Sequence, residues 1–194
     1  MKNSRAEESL RKLMDGNERF VSRRECCPNR SLDRACAVAD AQHPFAAVLG
    51  CSDSRESMEV IFDCGIGDLF VVRIAGNVCD DLVLGSLEFA AAELDVPLIL
   101  VLGHESCGAV QAALQGAAPG HMAALLDAIK PAVDWAREQT GDMVDQAVRR
   151  NVRNVVTQLR ESSSILDERC RRENLRIAAG YHNLHTGKVE LLDG

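Results

Sequence analysis

Three short apolar runs constrain this chain more than any other feature of its sequence. They are Phe45-Ala46-Ala47-Val48-Leu49-Gly50, Asp68-Leu69-Phe70-Val71-Val72-Arg73 and Pro97-Leu98-Ile99-Leu100-Val101-Leu102-Gly103. A strand with one wet face alternates apolar and polar residues, whereas a strand covered on both faces reads as a near-continuous apolar run. Covering both faces takes helices, and parallel neighbours need a crossover of about a dozen residues or more. Residues 80–94, with Leu82, Leu87, Phe89, Ala90 and Leu94, are long enough for one, and residues 57–62 form a shorter helical stretch. Strands alternating with helices in this way predict an α/β sheet.

The flanks extend the pattern. Leu10, Leu13, Met14 and Phe20 fall at helical spacing within residues 4–22, so the chain opens with an amphipathic helix. Beyond Cys107 the periodicity is helical over 108–115, 122–139, 142–162 and 164–173. Residues 175–181 and 188–192 then flank His185-Thr186-Gly187, a turn signal that predicts a closing strand pair. His182 and His185, beside that turn, are expected to face solvent. The fold class is therefore α/β: a parallel-centred β-sheet with flanking helices, an N-terminal helical arm, and an antiparallel edge strand near the C-terminus. With 194 residues, 46% of them hydrophobic, one domain over 1–194 is expected.

A formal net charge of -7 argues against nucleic acid or an anionic membrane as the partner, since both select basic surfaces. No apolar run reaches membrane-spanning length and residues 1–10 do not resemble an export signal, so a cytoplasmic location is expected. There the eight cysteines point to burial and metal binding rather than disulfides. Cys64 and Cys79 lie in apolar surroundings and read as core; Cys26-Cys27 reads as a surface pair.

The chemistry collects at the ends of the apolar runs. Cys51 follows the first, in Cys51-Ser52-Asp53-Ser54-Arg55, and His104 follows the third, in His104-Glu105-Ser106-Cys107. Carboxyl ends of parallel strands are where open α/β sheets gather their ligands. Two thiolates and an imidazole make a recognised catalytic zinc set, with three protein ligands and a fourth position for water. The start of a helix at Cys107, together with a metal, favours that thiol as thiolate. Asp53 decides the fourth corner: bound to zinc it closes the site, and paired with the Arg55 fork it is held off the metal with a lowered pKa. A structural four-ligand site and a closed zinc-binding interaction module stay open at this point, as does the bland reading of two core cysteines and a core histidine.

These residues resemble the β-class carbonic anhydrases. The likeness runs through Gly16-Asn17-Glu18-Arg19-Phe20, the motif from Cys51 to Arg55, Gly67-Asp68-Leu69-Phe70-Val71-Val72-Arg73 and Ala75-Gly76-Asn77. It continues in Ser86-Leu87-Glu88-Phe89-Ala90, Gly103-His104, Cys107-Gly108-Ala109-Val110 and Thr186-Gly187-Lys188-Val189. The resemblance implies zinc-dependent reversible hydration of carbon dioxide to bicarbonate and a proton, by attack of a metal-generated hydroxide. It implies Cys51, His104 and Cys107 as zinc ligands and Asp53 with Arg55 as the catalytic dyad. Gln42 and the Gly108 amide would contact substrate, and Phe70 and Phe89 would line a small apolar pocket. The family is dimeric, with dimers that can pair further, so a homodimer is implied in which the helical arm, residues 1–40, packs on the partner.

Three departures stand out. Glu56-Ser57-Met58 replaces a Val-Pro or Pro-Pro element after the motif arginine, Ile74 replaces an asparagine, and Tyr181-His182 replaces a more usual Tyr-Asp. Some members close their site through a regulatory bicarbonate pocket with a tryptophan three residues before the first ligand cysteine. That position is Val48, so Asp53 is expected on Arg55 rather than on zinc. A different small linear substrate, such as carbon disulfide, is compatible with the same ligands.

Overall fold

The computed structural model describes residues 4–116 and 118–192. Its centre is a five-stranded sheet in the order β2-β1-β3-β4-β5, built from β1 (Ala46–Gly50), β2 (Leu69–Arg73), β3 (Leu98–His104), β4 (Arg176–His182) and β5 (Val189–Leu192). The first four strands are parallel, and β5 runs antiparallel to β4. The helices are α1 (Ser4–Val21), α2 (Leu32–Ala37), α3 (Met58–Ile61), α4 (Asp81–Ala92), α5 (Gly108–Gln115), α6 (Met122–Ala136), α7 (Met143–Ser162) and α8 (Ser164–Arg171).

Every residue of β1 and β3 is buried, as their unbroken apolar runs require. Alternate side chains of β1 feed two separate cores. Ala47 and Leu49 pack with Ile99, Val101, Leu87, Ile129 and Val152 on one face. Ala46 and Val48 pack with Leu98, Leu100, Leu10, Leu13, Met58 and Phe62 on the other. Truncating a fully buried side chain such as Leu13 to alanine costs about 2–5 kcal/mol. The amphipathic face of α1 is thus spent on its own chain. Asn17 fixes it there, donating to Ile61 O at 3.2 Å and Gly187 O at 2.8 Å and accepting from the Val189 amide at 2.8 Å. Gly16 is required because a Cβ there would sit 1.9 Å from Phe62 O.

Asp80 and Asp142 cap α4 and α7 through their side chains, which is why both helices begin where the sequence pattern starts them. Helix α2 was not expected; Ser31 caps it, yet none of its residues is buried, so no apolar period announces it. Cys64 and Cys79 are buried and Cys26 and Cys27 exposed, as anticipated. His182 is a correction: it is 3% exposed, whereas His185 lies in the open. The turn beside it suggested solvent, but β5 closes over β4 and the His182 ring meets Glu56 inside the protein.

Candidate metal centre and its carboxylate

The parallel register places the strand ends together. Cys51 leaves β1, His104 is the last residue of β3, and Cys107 is the N-cap of α5. All three are buried, and their donor atoms lie within 4.8 Å of one another. Two zinc bonds of about 2.0–2.3 Å end to end nearly span that separation, so small shifts bring the set onto one ion. His104 Nδ1 is committed to Glu105 O at 2.9 Å, which fixes the tautomer and turns Nε2 toward the sulfurs. That Nε2 is buried and has no hydrogen-bond partner among the described residues. An orphaned buried imidazole nitrogen facing two thiols is the signature of a soft N/S metal site.

The sulfurs are prepared unequally. The thiol of Cys107 bonds to Cys51 and drives it down to about 4 despite burial, with His104 and the amides of Gly76, at 3.3 Å, and Asp53, at 3.4 Å, assisting. Gly76 delivers its amide from a left-handed conformation, φ 69°, in which a Cβ would stand 2.6 Å from Ile129. Cys107 is pushed up by the same partnership with Cys51 and by burial. The helix amides do favour its thiolate, as the sequence suggests, but Cys51 and burial outweigh them. Burial lowers His104, but Cys51 and Glu56 more than reverse this, and its net shift is upward.

Asp53 is gripped by Arg55 through Nε to Oδ1 at 2.8 Å and Nη2 to Oδ2 at 2.7 Å, with the Arg55 amide on Oδ1 at 2.9 Å. This fork holds the Asp53 carboxyl well below the usual carboxylate range. Oδ2 remains 3.9 Å from His104 Nε2. Arg73, which the sequence offers only as part of a shared motif, clamps the loop from β2: its Nε donates to Cys51 O at 3.0 Å and its Nη2 to Asp53 O at 2.6 Å.

The remaining candidates divide. Gly108 opens α5 directly after the ligand candidate Cys107, and a Cβ there would meet nothing within 4 Å. Gln42 is exposed and precedes β1, at the end of the strand opposite Cys51. Five strand residues at about 3.3 Å each put roughly 17 Å between the two ends. Phe70 is level with Ala47, not with the strand ends. Its ring lies 6.3 Å from that of Phe89, which is 48% exposed, so the two form a patch on the open edge of the sheet. A single chain does not bring these three residues to the metal centre.

A parallel α/β sheet with a Cys-His-Cys cluster at its strand ends and an arginine-held aspartate beside it defines a class, and comparison with known proteins identifies it. The family profile described as carbonic anhydrase matches residues 46–189. Carbonic anhydrase 2 of Mycobacterium tuberculosis is 41% identical over 198 residues, covering 100% of this chain and 96% of that protein. The carbonic anhydrase of Mycolicibacterium smegmatis is 39% identical, covering 98% and 95%. Among solved structures, the β-carbonic anhydrase CafA of Aspergillus fumigatus superposes with a TM-score of 0.76 at 28% identity, over 81% of this chain and 79% of that one. The chain belongs to the β-class carbonic anhydrase family.

Proposed function

We propose that this protein catalyses the zinc-dependent, reversible hydration of carbon dioxide to bicarbonate and a proton. One observation carries the reading: two thiols and an imidazole converge within 4.8 Å while the Asp53 carboxylate, 3.9 Å from His104 Nε2, is held by Arg55. A structural site would recruit that carboxylate as its fourth ligand; a catalytic one keeps the corner free. Zinc, when bound by Cys51, His104 and Cys107, supplies the acidity that makes a nucleophile of water near neutral pH.

The chain's own residues supply the rest. Asp53 Oδ2, ionised and fixed by Arg55, accepts a hydrogen bond from the attacking water and aims its lone pair. The Gly108 amide donates to the oxygen that becomes negative as bicarbonate forms. Gln42, Phe70 and Phe89 act from a second copy. Supporting this, β2 is an edge strand whose Leu69, Phe70, Val71 and Val72 are only half-buried, flanked by exposed Leu82 and Phe89. An apolar edge with unpaired backbone is a surface that calls for a partner strand or helix. The assembly proposed is a homodimer, to which the arm of residues 1–40 would offer the faces that α1 does not spend on its own chain, with pairing into a tetramer compatible. No helix among the described residues is long and apolar enough to cross a membrane, which accords with a cytoplasmic enzyme. Stopped-flow carbon dioxide hydration by the zinc-loaded protein tests the proposal; no rate above buffer at pH 7 and pH 9 removes it.

A further inference from the structure

Two of the departures from the family pattern meet in space. Glu56, directly after the dyad arginine, is fully buried, and the Nδ1 of buried His182 donates to its Oε1. They are 126 positions apart. Glu56 Oε2 and His182 Nε2 have no hydrogen-bond partner among the described residues, so each side chain depends on the other for its one polar contact.

The placement of this pair gives it leverage. Residues 51–56 form the loop that carries the first ligand and the dyad, and the Glu56 amide closes it by donating to Asp53 O at 3.0 Å. Arg73, from β2, holds the front of this loop at the carbonyls of Cys51 and Asp53. His182, from β4, holds the rear at Glu56 and stands in register with His104 on β3. Arg55 lies between the two clamps, half exposed. Both neighbours of Glu56, Arg55 and Ser57, line an open cavity of about 520 Å³ together with Val60, His182 and His185. On that side the Glu56–His182 contact is the hydrogen bond that joins the rear of the loop to β4.

We propose that Glu56 and His182 are a positioning pair that holds Arg55 in place, so that Asp53 stays on the guanidinium and off the metal. This rests on the carbonic anhydrase reading for its activity measurements, but not for its binding measurement. In enzymes with metal sites, partners of this outer kind affect metal affinity or activity by roughly 10–100-fold. When the pair is removed, Arg55 loses its fixed origin and the Asp53 carboxylate turns to the nearby cation.

The test uses the full-length protein loaded with cobalt(II) and titrated with azide, followed by visible absorption, alongside carbon dioxide hydration of the zinc form. Glu56→Leu with His182→Leu leaves no unpaired buried polar group, so its melting temperature is expected to stay near wild type while the clamp is gone. Azide affinity and kcat/KM should each fall roughly ten- to hundredfold. Adding Asp53→Ala to this double variant should restore azide binding, because no carboxylate then competes for the cobalt. Glu56→Gln and His182→Asn, which each keep a hydrogen bond across the pair, should stay within about threefold of wild type. If the Leu/Leu variant does not fold, Glu56→Ala, which leaves no buried carboxylate behind, is read by the same criteria. Wild-type azide affinity and kcat/KM in the folded clamp-free variant overturn the proposal, since a purely structural pair predicts that result. Weakened azide binding in a protein whose wild type never hydrates carbon dioxide would leave the clamp standing and remove the carbonic anhydrase reading.

Discussion

Arg55 holds both carboxylate oxygens of Asp53, at 2.8 Å and 2.7 Å, and leaves Oδ2 only 3.9 Å from the Nε2 of His104. The carboxylate is near enough to the candidate metal centre to become a ligand and is committed elsewhere. On the function proposed, that commitment would leave a fourth corner of the metal to water, and the fork geometry of a guanidinium supplies it in a way a lysine ammonium does not.

Arg55→Lys keeps the charge and loses the fork. We expect kcat/KM for carbon dioxide hydration to fall by about a hundredfold or more, with one zinc per chain retained. The Asp53 carboxyl should move back toward its ordinary range and still be ionised at pH 7, so the loss is positional. Metal analysis with stopped-flow rates checks this; a variant within threefold of wild type contradicts it.

Activity should climb from pH 7 to pH 9. Two thiolates cancel the formal charge of Zn2+, whereas a site with three neutral imidazoles keeps it, so the ionisation that governs the rate lies above the ~7 of such sites. Asp53 does not produce this limb: its pKa is lowered by Arg55, and it is already ionised well below neutral pH. A flat kcat/KM profile over this range, with zinc fully bound, argues against two thiolate ligands.

Gln42 sits at the wrong end of β1 to serve its own metal centre, so it is expected to serve that of a second copy. Gln42→Ala and Cys51→Ala should each be at least tenfold impaired as homodimers. Mixing them under conditions that exchange subunits should recover activity, because the mixed dimer holds one site with all its ligands and a Gln42 from the partner. Activity equal to the average of the two separate samples would count against delivery between chains.

Asp63 makes a stability prediction away from the site. Its buried carboxylate accepts from Arg19 Nε at 2.7 Å and from the amides of Cys26 and Cys27 at 2.9 Å. Burial raises this carboxyl, but Arg19 and the two amides outweigh it, and its pKa is lowered. A lowered folded pKa stabilises above the unfolded value of about 3.9, and the benefit disappears as pH falls through the folded value. Asp63→Ala should cost roughly 3 kcal/mol at pH 7 by urea denaturation, and the gap from wild type should narrow below pH 4.

The sheet was legible because burial on both faces writes itself into sequence: the runs at 45–50, 68–73 and 97–103 became β1, β2 and β3. The convergence of Cys51 and His104 was legible for a related reason, since each follows such a run and parallel register brings run ends together. What was hidden depends on pairing across the chain. Nothing near His182 announces Glu56, and a histidine beside a Thr-Gly turn reads as exposed until β5 is folded over it. Arg73 stands in a visible motif, but its grip on the Cys51 and Asp53 carbonyls comes from β1–β2 register alone. Gln42, Phe70 and Phe89 escape even the folded single chain: Gln42 lies at the far end of β1 from Cys51, and Phe70 and Phe89 form a patch on the open edge of the sheet.

Carbon dioxide hydration by zinc-loaded protein, measured by stopped flow at pH 9 beside Cys51→Ala and Asp53→Ala, tests the central claim most directly. The account predicts rapid hydration by wild type, loss of zinc and of activity in Cys51→Ala, and zinc retained with a rate reduced at least tenfold in Asp53→Ala. Wild-type protein with one zinc per chain and no hydration above buffer would contradict it.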